Sequence, residues 1–419
     1  MRTSILFSTL LLACLLSFSI SCGGDGGGDD GDDSAEATAD DDVDDDADDD
    51  ANDDVDDDVN DDVNDDTDDD VDDDINDDVD DDTDDDIDDD ADDDDTMDYE
   101  YSIKTIGMSA EDIMEVLPAF AERGFVLYLN TFPADIGSDE MEQLLLMAAE
   151  LDVTVRLWPL LSGADGSWAN EDNLDLFLQN ARETLDFAES VANVVDAVVI
   201  NSELGVQKIN LIRQYFEQGD WQAILGILMD NRDRGQLALN QAIMEGFVGE
   251  LHDRGYLAQV TTYPFIIDDL GDGDPDLQDV ANVLFSGISW DIYSFTPYTT
   301  AYTQDLGFPL GPDFPYAYSR QAYAQFGSAA EIALGIVGDT SHGPGYASVD
   351  LLAADVAATK AAGIRRISVF HLAGMVQDNQ FDAWADALLA EPTVPPTEPL
   401  VTAMRAAIQL GDALLNFVP

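Results

Sequence analysis

Cysteine and basic residues are the scarce components of this 419-residue sequence. The two cysteines, Cys14 and Cys22, both lie near the N-terminus, so the rest of the chain offers neither a disulfide nor a thiolate metal site. Lys and Arg number 15 against 92 Asp and Glu, which gives a formal net charge of −77. Because phosphate binding needs a basic surface, the composition excludes nucleic acid as an expected partner.

The N-terminal apolar run is too short for a membrane-spanning helix. It extends from Ile5 to Ile20, whereas a helix that crosses a bilayer needs roughly 20 apolar residues. Arg2 precedes the run, and the polar sequence GGDGGGDDGDD follows Cys22 at its end. This order is typical of a secretory signal.

Cys22 also resembles the lipidated residue of bacterial lipoprotein signals, in which a cysteine behind small residues is diacylated and becomes the mature N-terminus. We predict a signal peptide over 1–21 and lipidation at Cys22. Cys14, behind Leu-Leu-Ala, is the alternative site, and an ordinary secretory signal with an incidental cysteine is a third interpretation. The resemblance implies a lipid-anchored protein of the bacterial cell envelope, at the outer membrane or cell surface, with the membrane as a partner.

An aspartate-rich repeat follows the signal. From Asp40 to Asp95 the chain repeats four-residue units such as DDDV, DDDA and NDDV. A period of four matches neither the 2 of a strand nor the 3.6 of a helix, so the apolar residue makes no continuous face. The 45 acidic residues from Asp25 to Asp95 predict a disordered, self-repelling tether over 22–97, at most on the order of 250 Å long when fully extended.

Calcium is the ligand that such a carboxylate-rich tether favours, because hard cations prefer oxygen donors. The repeat lacks the turn-forming Gly and the bidentate Glu of an EF-hand loop. We therefore expect diffuse calcium association with the tether, no specific metal centre and no cofactor.

Residues 98–419 alternate strand-like and helical segments, and eight such strands predict an α/β fold, the (β/α)8 TIM barrel. A doubly wound open sheet is the alternative, although no glycine-rich phosphate loop follows the first strand. The predicted strands are Tyr101–Gly107, Phe125–Asn130, Val153–Trp158, Asp196–Asn201, Leu257–Tyr263, Trp290–Phe295, Ile332–Val337 and Arg366–His371. The predicted helices are Ala110–Glu122, Asp139–Leu151, Asn173–Val191, Ile209–Leu251, Val349–Ala362, Phe381–Leu389 and Glu398–Leu415.

The sequence VDAVVINSEL at 195–204 ends the fourth predicted strand on polar residues. Active sites of barrels lie at the C-terminal ends of the strands, and residues two apart on a strand point the same way, so Asn201 and Glu203 can face one ligand. An apolar surrounding raises a carboxyl pKa and suits it to donate a proton. The alternative is structural: Glu203 caps the next helix or pairs with Lys208.

The segment DAVVINSE at 196–203 resembles the fourth-strand signature of glycoside hydrolase families 18 and 85, the chitinases and endo-β-N-acetylglucosaminidases. Family 18 has Asp-Gly-x-Asp-x-Asp-x-Glu there, and family 85 ends its strand with Asn-x-Glu, as this sequence does. WDIYSFTPY at 290–298, EIALGIVGD at 331–339 and RRISVFHLAG at 365–374 are similar to the sixth, seventh and eighth strands of chitinase barrels.

The resemblance implies substrate-assisted cleavage, in which Glu203 protonates the leaving oxygen and the substrate's 2-acetamido oxygen attacks the anomeric carbon. Asn201 would orient that acetamido group. The sequence departs from family 18 at Ala197 and Val199, where the family has Gly and its middle Asp, and Phe370 or His371 stands where chitinases keep a Trp. Asp196, at the start of the strand, is expected to be structural.

Further substrate-binding candidates follow other strands. Trp158, Tyr263 and Tyr298 close the third, fifth and sixth strands, where aromatic faces can stack on sugar rings. Asp339, His342 and His371 follow the last two strands. These three could instead form a metal site of two His and a carboxylate, although a solvated rim is favoured. Asp339 could also be the nucleophile of a retaining hydrolase, if it lay within about 5.5 Å of Glu203.

Two functions remain open. The first is a surface-tethered glycoside hydrolase that acts on N-acetylglucosamine-containing glycans or a related polysaccharide, with Glu203 as general acid. The second is a catalytically inactive barrel on a stalk that serves as a carbohydrate-binding or structural surface lipoprotein.

Overall fold

Eight parallel strands close into a barrel in the order β1 to β8. A computed structural model describes residues 98–271, 273–338 and 343–415; Cys22 and the predicted signal peptide and tether lie outside these ranges. The strands are β1 Glu100–Lys104, β2 Val126–Thr131, β3 Val155–Pro159, β4 Val195–Asn201, β5 Leu257–Thr262, β6 Ile292–Phe295, β7 Ala330–Gly335 and β8 Arg366–Phe370. The predicted (β/α)8 barrel is confirmed.

Helices fill the connections between the strands. They are α1 Ala110–Arg123, α2 Asp139–Glu150, α3 Leu174–Val191, α4 Val206–Gln218, α5 Trp221–Asp230, α6 Arg234–Asp253, α7 Ile266–Asp269, α8 Asp276–Ala281, α9 Thr299–Leu306, α10 Asp313–Phe326, α11 Val349–Ala361, α12 Leu372–Val376, α13 Phe381–Ala387 and α14 Pro399–Leu415. Within the described ranges, none is long and apolar enough to cross a membrane.

Serine side chains cap the N-terminal ends of the first two helices. Ser109 accepts a hydrogen bond from the backbone N–H of Asp112 at 3.1 Å, and Ser138 accepts one from Met141 at 3.2 Å. Each bond satisfies an N–H that has no partner within its helix.

The single helix predicted over Ile209–Leu251 is wrong, because the chain forms α4, α5 and α6 there. Gly219 ends α4 with φ at 68°, and Asp220 then accepts the backbone N–H of Ala223 to begin α5. Asp233 begins α6 by accepting two backbone N–H groups. A left-handed glycine followed by a capping aspartate stops one helix and starts the next.

A buried polar network fills part of the barrel interior. Gln259 Nε2 and Ser294 Oγ donate to one carboxyl oxygen of Glu331, at 3.0 and 2.7 Å. The hydroxyl of Tyr128 donates to the other oxygen, and Arg156 Nη1 donates to that hydroxyl at 3.0 Å. The network connects β2, β3, β5, β6 and β7 across the interior.

Arg156 continues this network to the N-terminal rim of the barrel. Its guanidinium contacts Glu100 at 2.9 Å and Asp196 at 3.3 Å. Asp196 therefore pairs with a buried cation at the end of the barrel opposite the strand C-termini, which agrees with the structural role expected for it.

Candidate functional site

The segment after β4 is fixed from both sides. Ser202 forms an isolated parallel bridge with Ala169 of the β3–α3 loop, and its backbone N–H donates to the carbonyl of Thr261 on β5 at 2.9 Å. Leu204 is also held by two hydrogen bonds. Its N–H donates to the Tyr263 hydroxyl at 3.2 Å, and its carbonyl accepts the indole N–H of Trp168 at 2.8 Å. The backbone of Glu203, which lies between them, is thereby held in place.

Glu203 is fully buried, with 0% of its surface exposed. Burial raises the pKa of Glu203 to about 8, against the smaller, opposing influence of the Lys104 charge. Desolvation disfavours the carboxylate, so Glu203 is protonated at neutral pH. Asn201 Nδ2 lies 3.4 Å from Glu203 Oε1, and the two side chains meet as the sequence predicts.

Neither structural alternative for Glu203 is observed. Lys208 contacts Asp172. The N-cap of α4 is Gly205, and no side chain caps that helix.

Four buried polar atoms near the C-terminal ends of β3, β4 and β5 have no hydrogen-bond partner among the described residues. They are Trp158 Nε1, Asn201 Oδ1, Glu203 Oε2 and Thr261 Oγ1. A buried polar group without a partner costs about 1–3 kcal/mol. Further such atoms are spread over the rest of the described residues, but these four lie where neighbouring strands end and can bind one polar ligand together.

The three aromatic candidates all lie at this end but are almost fully buried. Trp158 has the Lys104 ammonium 5.3 Å from its ring centroid. Tyr298 stacks on Phe370, with centroids 5.8 Å apart, and Tyr263 holds the backbone of Leu204. Their predicted contacts with sugar rings stay predictions, because each ring packs against protein.

His371 is buried rather than solvated. Its Nδ1 accepts the backbone N–H of Gly374 at 3.2 Å and so caps α12. Asp339 and His342 lie outside the described residues. Within the described part of the chain, no group of three or more His, Cys, Asp or Glu is placed to hold a metal ion.

Lys104 is a site residue that sequence reasoning missed. It is the last residue of β1 and is fully buried, and its charge acts on Glu203. The signal was present in the sequence, because Lys104 lies within the first predicted strand, Tyr101–Gly107, in a domain with few cations.

Comparison with known proteins shows no family for this chain. No family model matches the sequence. No curated protein matches it either.

Solved structures of other proteins share the barrel at low identity. The glycoside hydrolase domain of PgaB (BpsB) from Bordetella bronchiseptica is 11% identical, covering 69% of this chain and 99% of that one, with a TM-score of 0.44. A β-glucosidase from Thermotoga maritima is 12% identical over 63% and 77%, at 0.42. A D-allulose 3-epimerase from Methylomonas sp. is 12% identical over 76% and 100%, at 0.38. The likeness is one of fold, so the chemistry must come from the site.

Proposed function

We propose that this protein is a glycoside hydrolase that cleaves N-acetylglucosamine-containing glycans or a related polysaccharide, with Glu203 as the general acid. The observation that carries the proposal is the cluster of buried polar atoms without partners, which includes a carboxyl oxygen of Glu203. A carboxyl that is protonated at neutral pH, as the raised pKa of Glu203 makes it, can donate to the leaving glycosidic oxygen.

The nucleophile in this proposal is the substrate's own 2-acetamido oxygen, as the family resemblance implies. Asn201 supports it, because its amide lies beside Glu203 and its Oδ1 has no partner among the described residues. That oxygen can accept the acetamido N–H and hold the group for attack. Lys104 is the only charged residue among those described that acts on the pKa of Glu203; no described carboxylate does. Asp339 remains the alternative nucleophile.

One observation favours the inactive binding barrel as a second candidate. Glu203 has no exposed surface, so a glycan reaches its carboxyl only after neighbouring side chains move. A barrel whose acid never becomes accessible would bind sugar at its rim without cleaving it.

Replacing Asn201 by Ala tests the substrate-assisted route. Without the amide, the acetamido group is no longer held, and we expect turnover of N-acetylglucosamine oligomers to fall by about 10²-fold, the loss typical of removing one stabilising polar contact. The rates of reducing-end release should be compared for a tetramer of N-acetylglucosamine and a tetramer of glucose, which differ at C2. The wild-type protein should cleave the N-acetylglucosamine tetramer far faster.

Equal cleavage of both tetramers, with indifference to Asn201, would contradict the proposal. If Asp339→Ala then abolished that cleavage, the enzyme would be an ordinary retaining hydrolase. Sugar binding without any reducing-end release across a glycan panel would favour the inactive barrel.

We also propose that the protein is lipid-anchored at Cys22 in the bacterial cell envelope, with residues 22–97 as a tether that associates diffusely with calcium. The support is the sequence around Cys22 and the acidic repeat. Cys22→Ser should move the protein from the membrane fraction to the soluble fraction without altering its thermal unfolding. Cys14→Ser is the matched control and should stay membrane-bound; the reverse result would make Cys14 the lipidated residue.

A further inference from the structure

A cleft of about 710 Å³ opens beside the barrel mouth. Its walls come from residues 164–176 of the β3–α3 connection and the start of α3, from residues 205–208 after Glu203, and from residues 236–243 of α6. The volume lies in the range of small-molecule sites, about 300–1,000 Å³. Because Glu203 and Gly205 are two residues apart, the loop that carries the candidate acid also forms a wall of this cleft.

Side-chain amides of the cleft bond to the protein backbone. The side-chain NH2 groups of Asn170, Asn173 and Gln207 donate to carbonyls within residues 163–168, at 2.7 to 3.1 Å. The NH2 group of Asn240 donates to the carbonyl of Glu171 at 3.3 Å. These bonds hold the walls of the cleft in place.

Glu171 is the carboxyl of the cleft whose oxygen is left without a partner. The residue is partly buried, and its Oε1 is enclosed and has no partner among the described residues, so a ligand contacts that oxygen only after the side chain rotates. Burial raises the pKa of Glu171 to about 8, with further contributions from carboxylates and a smaller, opposing one from Lys208. The carboxylates are Asp172, Asp233 and Asp279.

The charges around these carboxylates leave the cleft acidic. Lys208 is the cation that lines the cleft, and it contacts Asp172. Arg232 and Arg234 act on Asp279 from outside the lining. A ligand that carries a positive charge would therefore be attracted to the cleft and would favour the ionised form of the Glu171 carboxyl.

One wall of the cleft is aliphatic. Leu239 and Ile243 lie one turn apart on α6 and are 55% and 37% exposed. Two aliphatic side chains in a row form a flat apolar strip, which can contact the C–H face of a sugar ring while the acidic wall contacts its polar substituents.

We propose that this cleft binds an amino sugar with a free amino group, whose ammonium contacts Glu171 and whose ring packs on Leu239 and Ile243. The assignment to a sugar rather than to another amine rests on the proposed function. The preference for an ammonium rests on the acidic lining of the cleft, where Lys208 is outnumbered by four acidic residues, Asp165, Glu171, Asp172 and Asp175. Binding places a positive charge beside a protonated carboxyl, so Glu171 loses its proton to solvent and becomes the ammonium's carboxylate partner.

Calorimetry of the full chain with a β-1,4-linked glucosamine dimer tests this proposal. At about pH 5.5, both the amino groups of the dimer and a carboxyl with a pKa near 8 are almost fully protonated, so binding should release close to one proton, measured from the heats in two buffers of different ionisation enthalpy. Ordinary Asp side chains ionise near pH 4, so dimer bound by the aspartate-rich segment releases almost none. Affinity should rise from about pH 5 to about pH 6.5, below the range in which the amines of the dimer lose their own protons.

Variants identify the residue that releases the proton on binding. Glu171→Gln should remove the release and weaken binding at least 10-fold, and Ala164→Trp should block the cleft from an exposed position on its wall. Glu150→Gln, an identical change on the exposed end of α2, should change neither quantity. Glu203→Gln should keep the release, which separates the cleft from the mouth.

Three results would overturn the proposal: proton release that survives Glu171→Gln, binding that survives Ala164→Trp, or equal affinity for the di-N-acetylated dimer. Equal affinity and equal release with putrescine would overturn the assignment to a sugar. Because binding is measured without turnover, failure of the proposed hydrolase activity shows separately, as cleft binding with no reducing-end release.

Discussion

Glu203→Gln is expected to reduce glycan hydrolysis by about 10²–10⁴-fold, the contribution typical of a positioned general acid, while glycan binding is retained. Glutamine keeps the size of the side chain and the oxygen that lies 3.4 Å from Asn201 Nδ2. It lacks the transferable proton. The loss should therefore appear in kcat, because that proton is needed only as the leaving oxygen departs.

Glu150→Gln, the same change on the exposed end of α2, is the matched control for this experiment. Turnover of a short N-acetylglucosamine oligomer should survive that change. If Glu203→Gln kept full kcat in assays of reducing-end release, the proton donor would be another group, and Asp339 and His342 would be the next residues to test.

Glu331→Ala should produce the largest loss of stability, about 3–5 kcal/mol in the free energy of unfolding, as expected when one member of a buried ion pair is removed. Glu331 is fully buried, and its carboxylate accepts from Tyr128, Gln259 and Ser294. Removing it leaves the Arg156 charge, 3.6 Å away, with less compensation. It also deprives Gln259 Nε2 and Ser294 Oγ of their acceptor.

Glu100→Ala tests whether burial decides this effect. Glu100 contacts the same guanidinium at 2.9 Å but is 32% exposed, so its removal should cost roughly 1 kcal/mol or less. Urea unfolding of the two variants measures the difference. Equal midpoints for both would show that the interior network contributes no more than a surface ion pair.

The barrel itself could be predicted because its strands are short apolar runs separated by helical segments. Val195–Asn201, for example, was predicted to within one residue at its start. The error over Ile209–Leu251 arose because the hydrophobic pattern continues through Gly219 and Asp220. The left-handed conformation of Gly219 nevertheless ends one helix, and the side chain of Asp220 caps the next. The short helices α7, α8 and α9 were not predicted, because 4, 6 and 8 residues contain few turns in which a helical period can appear. The 14-residue α10 was missed as well.

The candidate acid could also be predicted, because strand ends in a barrel face one site and Asn201 and Glu203 are close in sequence. Lys104 and Glu171 could not be paired with their neighbours in this way. Glu171 owes its raised pKa partly to Asp233 and Asp279, which lie 62 and 108 positions along the chain. The complete burial of Glu203 depends on packing around the mouth, which no local pattern reveals.

The pH dependence of kcat/KM tests the role of Glu203 most directly, because it reports the pKa of the essential acid in the free enzyme. The acid must be protonated to act, so activity should be retained below the pKa of Glu203, about 8, and fall roughly tenfold per pH unit above it. The residual activity of Glu203→Gln should lack this fall. An alkaline fall that is unchanged in Glu203→Gln, or wild-type activity that stays constant through the pKa of Glu203, would contradict Glu203 as the general acid.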